Sequence, residues 1–340
     1  MTIRTHLYLI AAIVAFAEIG CGGTPSSPTA APPVVTTPPT PTPNTWTLAG
    51  TVTDAGTGAP ISGASLAFSK LSIVTSDSTG AWSMSGTGAV EASQPLIVSA
   101  PGYLTHNTGI RWQASGRTSL NVSLFADRAP FSLAFYRDLV RNAFETPDHF
   151  EPLRRWTVQP NFYINTLNPK TNQPIDATEL ALVVNAIQQS VPQLTGGSFT
   201  AGAIESGNGQ RPPRTGYVNL SFSYEPNSDY CGHAQVGTNP GGIVINYDRC
   251  ASACGSLKVS PEVVAHEVGH AMGFWHTKAD GLMNATKFHG CATASFSLDE
   301  QLHARLAYLR PPGNLDIDTD PDSFLALRGS DAQPVIYCRR

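Results

Sequence analysis

Charge is scarce in this chain: of its 340 residues, only 14% are Asp, Glu, Lys or Arg. The net charge of −4 and an isoelectric point near 6.1 leave no basic footprint, which excludes a nucleic-acid partner. The apolar run at the start, Leu7 to Ala17, is too short to cross a bilayer as a helix. Cysteine is missing between Cys21 and Cys231. In place of charge there are 30 glycines and 27 prolines, which punctuate a chain into loops and short strands. The length allows two or three domains, enough to bury a full core.

Arg4 and His6 precede the apolar run, and Gly20-Cys21-Gly22 follows it at the distance of a cleaved export signal, so residues 1–21 read as a signal peptide. A cysteine directly after a small residue resembles the bacterial lipoprotein signal. That resemblance implies that Cys21 is lipidated, becomes the new N-terminus and anchors the protein to a lipid membrane. The expected location is the bacterial cell envelope, facing the periplasm or the cell surface, with plain secretion as the alternative. Residues 22–45 carry eight prolines and no charge. Such a segment cannot pack a core and reads as an extended tether reaching up to about 70 Å.

The chemistry concentrates in residues 260–284, SPEVVAHEVGHAMGFWHTKADGLMN. Ser260 suits a helix N-cap, Pro261 the first helical position and Glu262 the positive end of the helix dipole. A helix over 261–272 stacks His266 and His270 on one face, with Val264, Val268 and Ala271 roughly opposite. Gly273 can take the left-handed conformation that ends the helix and turns His276 back toward the other two. Three neutral imidazoles with a fourth position open are what a catalytic zinc ion requires. Glu267, next to the first histidine, is then free to act as a base toward a water.

His266-Glu267-x-x-His270-x-x-Gly273-x-x-His276, with Met283 following, resembles the metzincin zinc endopeptidases and their Met-turn. The resemblance implies Zn2+ held by His266, His270 and His276, Glu267 as the catalytic base, Met283 as a floor beneath the ligands, and a protein or peptide substrate. Thr277 and the absence of tyrosine after Met283 make the catalytic half matrixin-like. The expected architecture is multidomain: an all-β sandwich, then an α/β (α+β) metzincin-type zinc protease domain. Its sheet should be mostly parallel with an antiparallel edge strand, and the protein a monomer.

Within that half, spanning residues 155–312, Trp156–Asn165 reads as the first strand. Asp176-Ala-Thr-Glu179 reads as a capping box opening a helix to about Val191. Residues 198–204 and 216–224 read as further strands, and 232–237 with 242–247 as a hairpin around Asn239-Pro240-Gly241-Gly242. Cys231 and Cys250 are equidistant from that turn, so a bridge between them is expected; Cys254 with Cys291 or with Cys338 is left open. By its order along the chain, the strand carrying His233, Ala234 and Gln235 is implied to be the edge that binds substrate by strand addition. Ser297-Leu-Asp-Glu300 reads as a capping box for a last helix, and His289 as an exposed loop residue.

Ahead of that half, residues 46–126 alternate short apolar strands with turn clusters such as Asp77-Ser-Thr-Gly80. The order GTVTDAGTGAPISGA, TSDSTGAWSM, LIVSAPGYLTH resembles the carboxypeptidase regulatory-like domain, a transthyretin-like β-sandwich. His106 stands alone there, and Trp82 and Tyr103 read as core anchors. Residues 127–154 hold a connecting helix with apolar spacing at Leu133, Phe135 or Tyr136, Leu139, Val140 and Phe144. Residues 313–340 form a tail whose Asp316-x-Asp318-x-Asp320-x-Asp322 looks like a Ca2+ loop but lacks the required Gly and Glu, so a solvated acidic segment is expected. The reading outside enzymes is a tethered adhesin that grips peptide without cutting it.

Overall fold

A computed structural model describes residues 45–88, 93–111, 116–286, 291, 294–321 and 335–339. The signal peptide, Cys21, the tether as far as residue 44, His289 and Asp322 lie outside them, and Thr45 already belongs to the first strand.

The first body is a β-sandwich. One sheet has β1 (Thr45–Asp54) at its centre. It pairs with β4 (Ala81–Thr87) antiparallel and with β7 (Gly116–Ser119) and β8 (Val122–Leu124) parallel. The other sheet runs in the order β3 (Val74–Thr75), β2 (Ser65–Phe68), β5 (Ser93–Ser99), β6 (His106–Arg111). Alternation sends every second side chain inward, so Gln94, Leu96 and Val98 of β5 are buried while their neighbours face out. Trp46, Leu48, Trp82, Leu96 and Val122 meet between the sheets. Trp82 is a core anchor as expected, whereas Tyr103 is only partly buried and donates its hydroxyl to the Asp54 carboxylate, 3.2 Å away.

The second body is built on a six-stranded sheet. It contains β9 (Asn161–Asn165), β10 (Ile204–Gly207), β11 (Tyr217–Ser223), β12 (Tyr230–Gln235), β13 (Gly241–Asn246) and β14 (Val335–Arg339). Their order is β10-β9-β11-β13-β12-β14. The first four are mutually parallel, and β12 is antiparallel to both β13 and β14. Among the described residues, four α-helices accompany it: α1 (Leu133–Arg141), α2 (Ala177–Leu194), α3 (Pro261–Ala271) and α4 (Leu298–Tyr308). Packing of α2 and α3 on the sheet forms the main core, with Val183, Ile187, Val191, Phe162, Leu220, Ile243, Val264 and Val268 inside.

Several elements differ from the sequence reading, each for a local reason. β9 starts at Asn161 rather than Trp156, because Trp156 leaves the sheet and donates its indole N–H to the Ala271 carbonyl of α3, 2.8 Å away. The strand expected over 198–204 begins only at Ile204, after Asn161 Oδ1 has accepted the Ala203 N–H. Asp176 caps α2, but Glu179 does not complete a box. Its buried carboxylate instead accepts from the Tyr247 hydroxyl at 2.8 Å and the Lys258 N–H at 2.7 Å. The box at Ser297 and Glu300 does form at the start of α4.

The segment joining the two bodies is not a loose connector. Tyr136, Leu139, Val140 and Arg141 of α1 are buried, and the Leu139 carbonyl accepts the Trp275 N–H at 2.8 Å. Residues 313–321 are likewise no solvated tail. Asn107 of β6 donates its N–H to the Asp318 carbonyl and accepts from the Asp320 N–H, which fastens this segment to the sandwich. Arg310 reaches the Ser123 carbonyl at 2.7 Å and Arg305 the Gly56 carbonyl at 2.9 Å.

A candidate metal centre

Every residue of α3 except Glu262 is buried, so this helix is enclosed on all sides rather than amphipathic. Its start is fixed by the Ser260 hydroxyl, which accepts the Val263 N–H, and by Pro261 in the first turn. Its end is fixed by Gly273 at φ 110°, where a Cβ would lie 1.8 Å from the Arg154 carbonyl oxygen. Only glycine fits there, on grounds of both backbone conformation and space. The turn it makes carries the chain back to His276.

The three predicted histidines come together. His266 Nε2 lies 2.9 Å from His270 Nε2 and 3.1 Å from His276 Nε2. Each ring's other nitrogen is engaged: His266 Nδ1 by the Leu282 carbonyl, His270 Nδ1 by the Phe274 carbonyl at 2.7 Å, and His276 Nδ1 by Glu145 Oε1 at 2.7 Å. A proton held on each Nδ1 leaves three Nε2 lone pairs converging in a buried space. Burial, and then the neighbouring His266 and His276, push the His270 pKa well below the usual imidazole value. Neutral imidazoles are the form that ligates a metal.

Glu267 supplies the second observation. It is fully buried, and neither carboxylate oxygen has a hydrogen-bond partner. Burial drives its pKa well above the carboxylate range. A carboxylate buried without partners beside three converging imidazoles fits a site built for a divalent cation and its water rather than a structural core. The donor set, three nitrogens and a nearby non-ligating carboxylate, suits zinc with an open coordination position.

Met283 is fully buried beneath the centre, and a Cβ on Gly269 would come within 2.4 Å of its sulfur. The absence of a side chain at Gly269, between the two helical histidines, makes room for it. The turn is held by Glu300, whose Oε1 accepts the Met283 N–H at 2.6 Å while Oε2 accepts the Ser297 N–H. Glu300 thus caps α4 and pins the floor of the site. Sequence reasoning found the cap and missed the pin.

Two further groups were missed. Glu145, just beyond α1, orients His276 across 131 positions of sequence, so no local spacing could signal it. His106 does not stand alone: its Nδ1 lies 3.1 Å from Asp318 Oδ1 and its Nε2 3.2 Å from Asp320 Oδ2. All three are buried and close enough together to hold an ion by donor type. However, Asp318 already receives Arg310 through both oxygens, at 2.6 and 2.7 Å, and Asp316 receives Arg137. The cluster is therefore a charge network, and the calcium expectation gains no support from it.

The expected substrate strand lies beside the centre but is not an edge. β12 passes so close to Glu267 that a Cβ on Gly232 would meet its Oε1 at 2.7 Å, and the Gly237 N–H donates to the His270 carbonyl at 3.0 Å. His233 is paired with Tyr337 of β14, Ala234 with Ile336 and Gln235 with Val335. The outer row of β12 is thus taken up. Burial holds the His233 pKa below its usual value.

Cys231 and Cys250 are bridged, with Cα atoms 5.4 Å apart, and Cys254 is bridged to Cys291. The first bridge is not a cross-strand pair, because the hairpin register sets Gly232 opposite Ile245. Cys250 reaches Cys231 only after the chain turns at Asp248, at φ 67°.

Comparison with known proteins agrees with this division. Residues 47–125 match the carboxypeptidase regulatory-like domain, and residues 161–277 match the metallo-peptidase family M12B, reprolysin-like. No curated protein matches the chain. Among solved structures, chlorocatechol 1,2-dioxygenase from Pseudomonas putida is 10% identical over 24% of this chain and 61% of its own, with a TM-score of 0.20. Catechol 1,2-dioxygenase from Acinetobacter radioresistens is 15% identical over 26% and 53%, at 0.21. A cohesin–X-dockerin complex from Acetivibrio cellulolyticus is 19% identical over 24% and 58%, at 0.19. The chain spans less than two thirds of each, and likenesses this slight carry no argument.

Proposed function

We propose that this chain is an exported zinc-dependent endopeptidase of metzincin type, anchored to the bacterial envelope through a lipid on Cys21. The observation that carries the peptidase reading is the convergence of three Nε2 atoms, 2.9 and 3.1 Å from one shared member, beside an unpartnered buried glutamate. The M12B match over residues 161–277 supports a metallopeptidase. The matrixin-like label rests only on Thr277 and on the residues after Met283, and the matched family is a different metzincin branch. Export and anchoring rest on the sequence before residue 45.

His266, His270 and His276 would hold the ion, their orientations locked by Leu282, Phe274 and Glu145. Zinc bound there supplies Lewis acidity, polarising the peptide carbonyl and making water a stronger acid. Glu267 is the base: its carboxylate takes the proton from the attacking water and returns it to the leaving amine. Its burial excludes competing hydrogen bonds, so the proton has one acceptor. Met283 closes the floor with sulfur and methyl and takes no part in proton transfer.

The test is cleavage of a denatured protein by the purified chain with one equivalent of zinc. Activity lost on chelation and restored by zinc, and absent in Glu267→Ala with metal retained, is the expected result. A chain that binds peptide but cuts nothing would instead be a binding protein on a peptidase scaffold.

A further inference from the structure

The outer edge of β12 bears on access to the site. A strand at a sheet edge offers a row of N–H and C=O groups to which an extended peptide can add. β12 borders the centre directly, since Gly232 lies against Glu267. Its row is occupied by five residues of the same chain, Val335–Arg339, running antiparallel. Gly232 is paired with Cys338, so the main chain at Cys338 lies one strand spacing, about 4.8 Å, beyond the residue that touches the base. β14 also packs against α3, the helix that carries His266 and His270. The register shifts between Tyr230 and Gly232, at Cys231, whose bridge to Cys250 fixes the far end of the strand.

The geometry points to Val335–Arg339 as an internal occupant of the peptide-docking edge beside the three-histidine centre, paired where an extended substrate would pair. The inference takes the nature of the site from the proposed peptidase function, but the occupancy itself does not require catalysis. The segment suits the role: Val, Ile and Tyr favour extended backbone, and the pairing is antiparallel along most of β12. A segment tethered to its own site competes at an effective concentration of order millimolar. It would raise the apparent KM for an extended peptide without changing kcat, because it subtracts from the fraction of free sites.

The experiment compares the full chain with one ending at Pro334, using a fluorescent peptide of the sequence of residues 335–339 as probe. Expected are binding at least about tenfold tighter to the shortened chain and, for an extended peptide substrate, a KM lowered by a similar factor at constant kcat. Because shortening could unfold the sheet, Ile336→Pro and Tyr337→Pro are made in the full chain. Alternate residues of a strand face the partner, so one of the two prolines should reproduce the shortened chain and the other should not. Equal peptide binding by all forms would overturn the inference, as would a shortened chain that loses both stability and peptide binding, the mark of a purely structural strand. Tight binding by the shortened chain without cleavage would sustain this inference and sink the peptidase reading; cleavage indifferent to every variant would do the reverse.

Discussion

Glu267 and Glu145 are two carboxylates near one centre with different tasks. Glu267 is buried without partners, so Glu267→Ala removes a group whose burial costs about 1–3 kcal/mol. Metal-free Glu267→Ala should therefore melt no lower than the native chain in calorimetry, while cleavage falls by about 10²–10⁴-fold. Glu145 bonds His276 from behind, and Glu145→Ala should weaken zinc binding by about 10–100-fold in competition with a chelator. Glu145→Gln keeps an oxygen that can accept the Nδ1 proton, so it should recover part of that loss. The three histidines and Glu267 were legible because their spacing is set by one helix and one turn. Glu145 was not, because only tertiary packing of α1 beside His276 brings it there.

At the level of elements, the turn after α3 is constrained both in backbone conformation and in space. Gly273→Ala forces a side chain into φ 110° and against the Arg154 carbonyl, so the helix end must move. A loss of at least about 3 kcal/mol in urea unfolding is expected, together with loss of stoichiometric zinc as His276 is displaced. Strand positions were legible where periodicity and turns agreed, as at β11 and β13. It misled at Trp156, where an apolar residue reads the same whether it faces a neighbouring strand or packs under a helix. Glu179 shows the same limit, since a capping-box spacing cannot reveal that Tyr247 and Lys258 claim the carboxylate first.

Across the whole molecule, sandwich and peptidase half meet at a titratable junction that sequence could not show, because His106 and Asp318 lie far apart in the chain. Burial works against a proton on His106, but the bonds to Asp318 and Asp320 outweigh it, and its pKa stands above the ordinary imidazole value. Burial also works against charge on Asp318, yet Arg310 and His106 bring its pKa down to about 2. Among the described residues, the Arg137–Asp316 pair and Arg141 also lie in this segment's surroundings. A raised histidine pKa contributes stability that is complete below the unfolded value, about 6.5, and is lost as pH rises through the folded value. A depressed aspartate pKa contributes stability present above about 3.9 and lost as pH falls toward the folded value. Melting temperature should therefore fall as pH rises above about 6.5, and His106→Ala should flatten that limb while leaving the acid limb largely in place. An unchanged alkaline limb in His106→Ala would show that the junction does not titrate through this residue.

One ion held by His266, His270 and His276 is the centre of the proposed chemistry. X-ray absorption at the zinc edge of the purified chain tests it most directly. The prediction is about one zinc per chain, with imidazole nitrogens at about 2.0–2.1 Å and the signal lost in His270→Ala. A chain without zinc, or one whose zinc environment is the same after His270→Ala, would contradict it.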